Sequence, residues 1–124
     1  MDMNEAPHLL LVDDERSIRE PLAQYLTKQG FRVTQVGEAQ SARDRLNAYA
    51  IDLVILDIMM PGMHGVQVLR LLKQVKPTIK VIMITAVDDE DIAREAMKEG
   101  ALDYVTKPLD LNYLDAQVTF NLAL

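Results

Sequence analysis

One stretch of the sequence, residues 53–65, reads LVILDIMMPGMHG and places Asp57 directly after four apolar residues. A short run that is wholly apolar is typical of a strand buried on both faces of a parallel sheet. A carboxylate removed from water costs free energy unless it is paired with a cation or bound to a metal. The stretch therefore predicts that Asp57 ends a buried strand and that residues elsewhere in the chain supply its partners.

Apolar runs rich in β-branched residues recur along the chain. They span residues 9–12, 31–36, 53–56, 79–84 and 103–105, and segments with helical spacing follow each of them. The apolar faces predicted for the five helices are Ile18, Leu22, Tyr25 and Leu26; Ala39, Ala42, Leu46 and Tyr49; Val66, Leu69, Leu72 and Lys73; Ile92, Ala96 and Met97; and Leu111, Leu114, Val118 and Leu122. This alternation predicts one α/β domain over residues 1–124, a (βα)5 doubly wound parallel sheet with strand order 2-1-3-4-5.

The residues at the helix ends agree with this division. Gly30 and Gly100 stand where the first and fourth helices should end in a left-handed residue. Residues 17–20 read Ser-Ile-Arg-Glu and resemble a capping box that would start the first helix at Ser17. If the helix instead begins near Glu15, Pro21 lies inside it and removes one helical hydrogen bond.

Composition limits the classes of function. The chain contains no cysteine, which excludes disulfides and cysteine-based metal sites. Asp and Glu number 19 against 13 Lys and Arg, a formal net charge of −6, and this argues against direct nucleic-acid binding, which needs a basic face. No apolar run approaches the ~20 residues of a membrane span. With no signal-peptide pattern at the N-terminus, the expected location is the cytoplasm, without membrane contact.

Polar side chains follow four of the five predicted strands. Asp13 and Asp14 follow the first, Asp57 the third, Thr85 the fourth and Lys107 the fifth. With strand order 2-1-3-4-5 these ends meet in one crevice, where open α/β sheets bind ligands. Three carboxylates at one place repel one another unless a cation lies among them. Mg²⁺ suits such a set because it binds a few carboxylates and keeps some of its waters.

A metal and an ammonium beside a carboxylate suit phosphoryl chemistry. Asp57 would act as nucleophile, while the metal and Lys107 would neutralise charge on the phosphoryl oxygens and the Thr85 hydroxyl would donate to one of them. Each residue alone also has a simpler interpretation, since Asp13 and Asp14 could cap a helix and Asp57 could belong to a turn before Pro-Gly. Their joint position at strand ends favours the chemical interpretation.

The sequence resembles a response regulator receiver domain of the CheY-like family, with the fold shared by flavodoxin-like proteins. Four blocks carry the resemblance and stand in the family's order and spacing: residues 10–15 (LLVDDE), 57–65 (DIMMPGMHG), 84–86 (ITA) and 100–108 (GALDYVTKP).

The resemblance implies that Asp57 is the phosphoacceptor and receives its phosphoryl group from a histidine kinase or a phosphotransfer protein. It implies that Asp14, Asp57 and the backbone carbonyl of Met59 bind Mg²⁺ directly and that Asp13 helps through water. Lys107 would contact the phosphoryl group.

The same resemblance implies a switch in which Thr85 is the moving hydroxyl and Tyr104 the aromatic that changes rotamer with it. The fourth helix, fifth strand and fifth helix would form the output face toward a downstream output domain or protein. Such a chain is a signalling domain and not an enzyme, apart from catalysing its own phosphorylation and dephosphorylation. For Tyr104, a half-buried core tyrosine is the alternative.

Some positions depart from the family pattern. Met59 and Val87 are apolar where the family often has polar residues flanking the hydrolytic water, so we expect slow self-dephosphorylation. Residues 109–124 contain no Lys or Arg, which makes pairing in the manner of the OmpR group doubtful. His64 is expected to be exposed and without chemical function rather than a metal ligand. The apolar end at 122–124 favours a receiver cut from a longer regulator, or one whose last helix packs on a partner.

Three other classes of function fit the sequence less well. A phosphatase of the haloacid dehalogenase type needs a second Asp two residues after the nucleophile, where this chain has Met59. A nucleotide-binding module needs a glycine-rich phosphate loop, and neither G-x-x-x-x-G-K-[ST] nor G-x-G-x-x-G occurs. A pseudo-receiver, an interaction module that does not use phosphorylation, would be signalled by loss of Asp57, Asp14 or Lys107, and all three are present.

Overall fold

The computed structural model describes residues 5–57, 59–60, 63–85 and 90–124. Five strands form the main sheet: β1 (His8–Val12), β2 (Arg32–Val36), β3 (Leu53–Asp57), β4 (Lys80–Thr85) and β5 (Asp103–Thr106). Each is followed by a helix: α1 (Arg16–Lys28), α2 (Ala39–Ala48), α3 (Gly65–Val75), α4 (Glu90–Lys98) and α5 (Leu111–Ala123). Between β3 and α3, two-residue strands at Met59–Met60 and Met63–His64 pair antiparallel.

The main sheet is parallel throughout and its strand order is β2-β1-β3-β4-β5, which confirms the predicted fold class. Asp57 lies opposite Ile84 in the register of β3 with β4, and Thr85 lies opposite Thr106 in that of β4 with β5. The strands that precede the predicted site residues therefore end at the same edge of the sheet.

Successive residues of the central strands face two separate cores, because side chains alternate across a strand. Leu10, Val12, Val54, Leu56, Val81 and Met83 pack with residues of α2, α3 and α4. Leu9, Leu11, Leu53, Ile55, Ile82 and Ile84 pack with residues of α1 and α5. Helices thus cover both faces of the sheet, which leaves its carboxyl edge as the place where polar side chains can gather.

The ends of the helices confirm some predictions and correct others. Gly30 and Gly100 have φ of 101° and 103°, the left-handed conformation that their positions predicted. The capping box at Ser17 is wrong: α1 begins at Arg16, its N-cap is Glu15, and Pro21 lies inside the helix. The start of α1 is displaced because the backbone N–H groups of Ile18 and Arg19 already bond to the Glu15 carbonyl.

Three residues assigned to the apolar helix faces are exposed instead: Tyr49, Met97 and Leu111. Tyr49 follows the last residue of α2, and its ring stacks on that of His8 with the centroids 5.9 Å apart. Met97 lies near the end of α4, beside the fully buried Ala96, and Leu111 is the first residue of α5. Within the described ranges, no helix has the length and apolar character needed to cross a membrane.

Candidate functional site

Three carboxylates meet at the carboxyl edge of the sheet, as predicted. One side-chain oxygen from each of Asp13, Asp14 and Asp57 lies within 4.8 Å of the others. They come together because β1 and β3 are neighbours in the sheet, so that Asp13, just after β1, adjoins Asp57, the last residue of β3. Asp13 and Asp57 are buried and Asp14 is more exposed. Oxygen ligands grouped in this way could hold a hard divalent cation.

Lys107 brings a positive charge to the same place. Its Nζ lies 3.2 Å from Oδ2 of Asp13 and 3.5 Å from Oδ2 of Asp57, and its side chain is only 12% exposed. Burial alone would lower the pKa of Lys107, but the charges of Asp57 and Asp13 and the hydrogen bonds to both outweigh it and raise that pKa. The ammonium is therefore held in its charged form between the two buried carboxylates.

The backbone fixes Lys107 where β5 ends. Its N–H donates to the carbonyl of Thr85, the last residue of β4, and its peptide bond with Pro108 is cis. The Thr85 side chain is fully buried. The hydroxyl and the ammonium predicted for the site thus come from adjacent strand ends.

Four hydrogen bonds with other described residues hold Asp13 in place. Its backbone N–H donates to the Val36 carbonyl at 3.1 Å, and its Oδ1 accepts from the Glu15 N–H at 2.9 Å. Its Oδ2 accepts from Lys107, and its backbone carbonyl accepts from Nη1 of Arg19 at 2.8 Å. The backbone of Asp13 is therefore held by β2 and α1, and its carboxylate by the Glu15 N–H and Lys107.

Arg19 is the site residue that the sequence reasoning missed. It lies in the first turns of α1, and a helical side chain leans toward the N-terminus of its helix, so a long one reaches back over the preceding loop. A helix start at Arg16, together with the lean of helical side chains toward the N-terminus, would have predicted that Arg19 reaches the loop after β1.

The two predicted switch residues lie on neighbouring strands. Tyr104 pairs in register with Met83, is half-buried and packs against the core under α2, α3 and α4. Its backbone N–H donates to Oδ1 of Asp103 at 2.8 Å. The arrangement places Tyr104 and Thr85 on adjacent strands, and a coupled movement of the two stays a prediction.

The loop after Asp57 corrects the expectation for His64. This residue is half-buried and caps α3: its Nδ1 accepts from the Val66 N–H at 3.3 Å, while its own N–H donates to Oε1 of Gln67 at 3.2 Å. An imidazole nitrogen can take the capping position that Ser or Asp usually fills, which the sequence pattern did not indicate. Met59 pairs with His64 in the short strands, and a metal contact by its carbonyl stays a prediction. Val87 and the side chain of Met59 lie outside the described residues.

An apolar groove of about 350 Å³ adjoins Lys107. It lies between α1 and the segment that joins β5 to α5. The residues that line it are Ile18, Leu22, Lys107, Pro108, Leu109 and Leu111.

Comparisons with known proteins agree with this geometry. The family model described as "Response regulator receiver domain" matches residues 9–119. The chain is 41% identical over 110 residues to the sensory transduction protein RegX3 of Mycolicibacterium smegmatis, covering 89% of this chain and 48% of that protein. It is 40% identical over 109 residues to the response regulator protein FleR of Pseudomonas aeruginosa, covering 88% of this chain and 23% of FleR. The chain thus spans half or less of these relatives.

Solved structures share the fold over nearly the whole chain. A CheY-like receiver domain protein of Methanospirillum hungatei superimposes with a TM-score of 0.91 at 24% identity, covering 96% of this chain and 95% of that one. A response regulator of Thermotoga maritima superimposes with a TM-score of 0.87 at 30% identity, covering 96% and 99%. The family match over residues 9–119 extends from β1 into α5 and so includes every strand that carries the acidic site. The chain therefore belongs to the response regulator receiver domain family.

Proposed function

We propose that this chain is the phosphoacceptor module of a two-component system and that Asp57 receives a phosphoryl group from a histidine kinase or a phosphotransfer protein. The observation that carries the proposal is the position of Lys107, whose ammonium lies 3.5 Å from Asp57 and 3.2 Å from Asp13, two of the three grouped carboxylates. A buried acid at a strand end with a fixed cation beside it can form and stabilise an acyl phosphate.

The transfer step needs no co-reactant other than a proton from solvent. An oxygen of Asp57 attacks the phosphorus of a phosphohistidine, the phosphorus–nitrogen bond breaks, and the imidazole leaves with the electron pair and takes up a proton. Lys107 neutralises charge on the phosphoryl oxygens, and the Thr85 hydroxyl donates to one of them. These residues act by orientation and charge, since the reactive bond belongs to the donor.

The acidic group fits Mg²⁺ by the chemistry of its donors. Asp13, Asp14 and Asp57 offer carboxylate oxygens only, and the exposure of Asp14 leaves room for the waters that Mg²⁺ keeps. The residues proposed to hold the ion are Asp14, Asp57 and the Met59 carbonyl, with Asp13 acting through water. The bound ion would supply positive charge beside the phosphoryl oxygens.

The groove beside Lys107 suits the approach of the donor. Its lining is mainly apolar and it opens between α1 and the β5–α5 connection, next to the site. An apolar side chain of the donor protein could pack there while its phosphohistidine reaches Asp57.

Phosphorylation would add roughly −1.5 to −2 charges at neutral pH to a site that is already acidic. Such a change acts at a distance only if it biases an element with two states. We propose that Thr85 and Tyr104 form this element and that α4, β5 and α5 carry the response to an output domain or protein. The pseudo-receiver alternative is not favoured, because Asp14, Asp57 and Lys107 are all present and the three of them adjoin Asp13.

Intact-mass measurement after incubation with acetyl phosphate and Mg²⁺ tests the proposal. We expect one added phosphoryl group on the parent protein and none on Asp57→Asn, which retains the shape of the side chain. Steady release of phosphate without an adduct would favour a hydrolase. An unmodified protein that releases no phosphate would overturn the proposal in favour of the pseudo-receiver.

A further inference from the structure

We infer that Arg19 positions the acidic residues of the proposed metal site. The lack of a side chain at Gly37 leaves room for the Arg19 guanidinium. This inference rests on the proposed function, because it assigns to Arg19 the orientation of the acids that would hold the cation. The inference depends on one contact. The Arg19 side chain of α1 reaches the carbonyl of Asp13, just after β1, and lies beside Gly37, the residue after β2.

The guanidinium bridges two strands. Its Nη1 donates to the backbone carbonyl of Asp13 at 2.8 Å, and its Nε donates to Oε1 of Gln35 on β2 at 3.3 Å. An arginine offers several donors in a rigid plane, so it can hold a loop against a neighbouring strand in one orientation.

The carbonyl that Arg19 holds belongs to the peptide that joins Asp13 to Asp14. A peptide is planar, so fixing its oxygen also fixes the N–H of Asp14 and the direction in which the chain enters that residue. Among the described residues, the Asp14 side chain accepts no hydrogen bond, whereas Asp13 is bonded through both of its carboxylate oxygens. The orientation of Asp14 therefore depends on its backbone. Two side chains hold that backbone: Asp13, whose Oδ1 accepts from the Glu15 N–H, and Arg19, which holds the Asp13 carbonyl.

Gly37 leaves the space that the Arg19 guanidinium occupies. A Cβ at this position would lie 2.9 Å from Nη1 of Arg19 and 3.8 Å from the Asp13 carbonyl oxygen. A methyl group there would displace the guanidinium from its place without removing its charge. Gly37→Ala therefore disturbs the contact that Arg19→Met deletes, by a different route.

Arg16 supplies a matched control on the same helix. It lies one turn before Arg19, is exposed, and pairs with Glu20 at 2.6 Å. Arg16→Met removes the same charge as Arg19→Met and leaves the contact with Asp13 intact. Comparison of the two variants separates positioning from a general loss of positive charge.

The test is calorimetric titration of the folded protein with MgCl₂ at fixed pH and ionic strength, together with the unfolding midpoint of each variant in EDTA. We expect Arg19→Met and Gly37→Ala to raise the Kd for Mg²⁺ by about tenfold, as loss of a group behind a metal ligand does. Arg16→Met should change that Kd less than about twofold. A merely structural role would lower the unfolding midpoint in EDTA and leave the Kd of the folded protein unchanged.

Two results would overturn the inference: parent-like Mg²⁺ binding by folded Gly37→Ala and Arg19→Met, or an equal loss of affinity in Arg16→Met. If Arg19→Met does not fold, Gly37→Ala alone decides between these outcomes. A parent protein that binds no Mg²⁺ would refute the proposed metal site and the inference together, whereas parent-like variants beside a binding parent would refute the inference alone.

Discussion

Lys107 lies nearer to Asp13 than to the proposed phosphoacceptor, with Nζ–Oδ2 distances of 3.2 Å to Asp13 and 3.5 Å to Asp57. The lysine therefore compensates two buried charges at once, and replacing it leaves both carboxylates without their cation. We expect Lys107→Met to lower the free energy of unfolding by about 2 kcal/mol in EDTA, as for a lost charge-assisted hydrogen bond. Urea denaturation measures this change.

The exposed Lys98→Met is the matched control for Lys107, since it removes the same charge at the end of α4. It should change the free energy of unfolding by less than about 0.5 kcal/mol. If both variants lowered the free energy of unfolding equally, the position of Lys107 between the carboxylates would not stabilise the fold.

Mg²⁺ should stabilise the folded protein by mass action, because a site made of two separate chain segments, residues 13–14 and 57–59, exists only when the protein is folded. At a hundred times its Kd the ion would add about 2.7 kcal/mol, seen as a higher melting temperature. In Asp14→Ala the rise should be much smaller. A rise of the same size in both proteins would contradict the metal site.

Met59→Asn should shorten the lifetime of the phosphoryl group at least severalfold. An amide can hydrogen-bond and orient a water beside the acyl phosphate, which a thioether side chain does poorly. The measurement is loss of the phosphorylated mass over time after removal of the donor, with Met60→Asn as control. Equal lifetimes in the parent and in Met59→Asn would refute the idea, which also depends on Asp57 being the phosphoacceptor.

His8 should make stability depend on pH. Burial lowers its pKa, the nearby charge of Arg32 lowers it further, and Asp52 opposes both. A histidine whose pKa is lower in the folded protein than the unfolded value of about 6.5 stabilises the fold above that value, and the contribution is lost as pH falls through the folded pKa. The urea midpoint should therefore fall on the acid side of pH 6.5, and His8→Gln should flatten that part of the profile. An unchanged profile in His8→Gln would contradict this.

Gly30→Ala and Gly100→Ala form a matched pair, because the two glycines have nearly the same φ, 101° and 103°. Both must place an alanine in the left-handed region, which costs about 1 kcal/mol or more. At Gly30 an added Cβ meets nothing within 4 Å, whereas at Gly100 it lies 3.2 Å from Cε of Lys73. Since Nζ of Lys73 donates to the Ile79 carbonyl, Gly100→Ala should be the more destabilising in thermal unfolding. The reverse order would show that Lys73 moves aside without cost.

The fold could be predicted from the sequence because apolar strand-like runs alternate regularly with segments of helical spacing. The central strands are apolar on both faces, and polar residues directly after them mark the functional edge. For this reason the sequence alone predicts the site residues at this edge of the sheet: Asp13, Asp14, Asp57, Thr85 and Lys107.

The features that escaped prediction depend on side-chain direction and on local competition between hydrogen bonds. The helix α1 begins earlier than predicted because the Glu15 carbonyl accepts from the N–H groups of Ile18 and Arg19. With the predicted start at Ser17, the contact of Arg19 with the Asp13 carbonyl was not expected. The cap made by His64 uses a nitrogen acceptor that propensity rules do not favour. Met97 is exposed although the adjacent Ala96 is fully buried, and periodicity alone did not place this limit of the buried face of α4.

The contrast between Asp13 and Asp14 has a kinetic consequence. Asp13 is tied to the chain through both carboxylate oxygens, whereas the Asp14 carboxylate accepts no hydrogen bond from the described residues and is more exposed than Asp13 and Asp57. An ion entering from solvent can therefore exchange one of its waters for Asp14 without first breaking a bond within the protein. If the proposed Mg²⁺ site is correct, water exchange at Asp14 would govern how fast the ion loads and leaves.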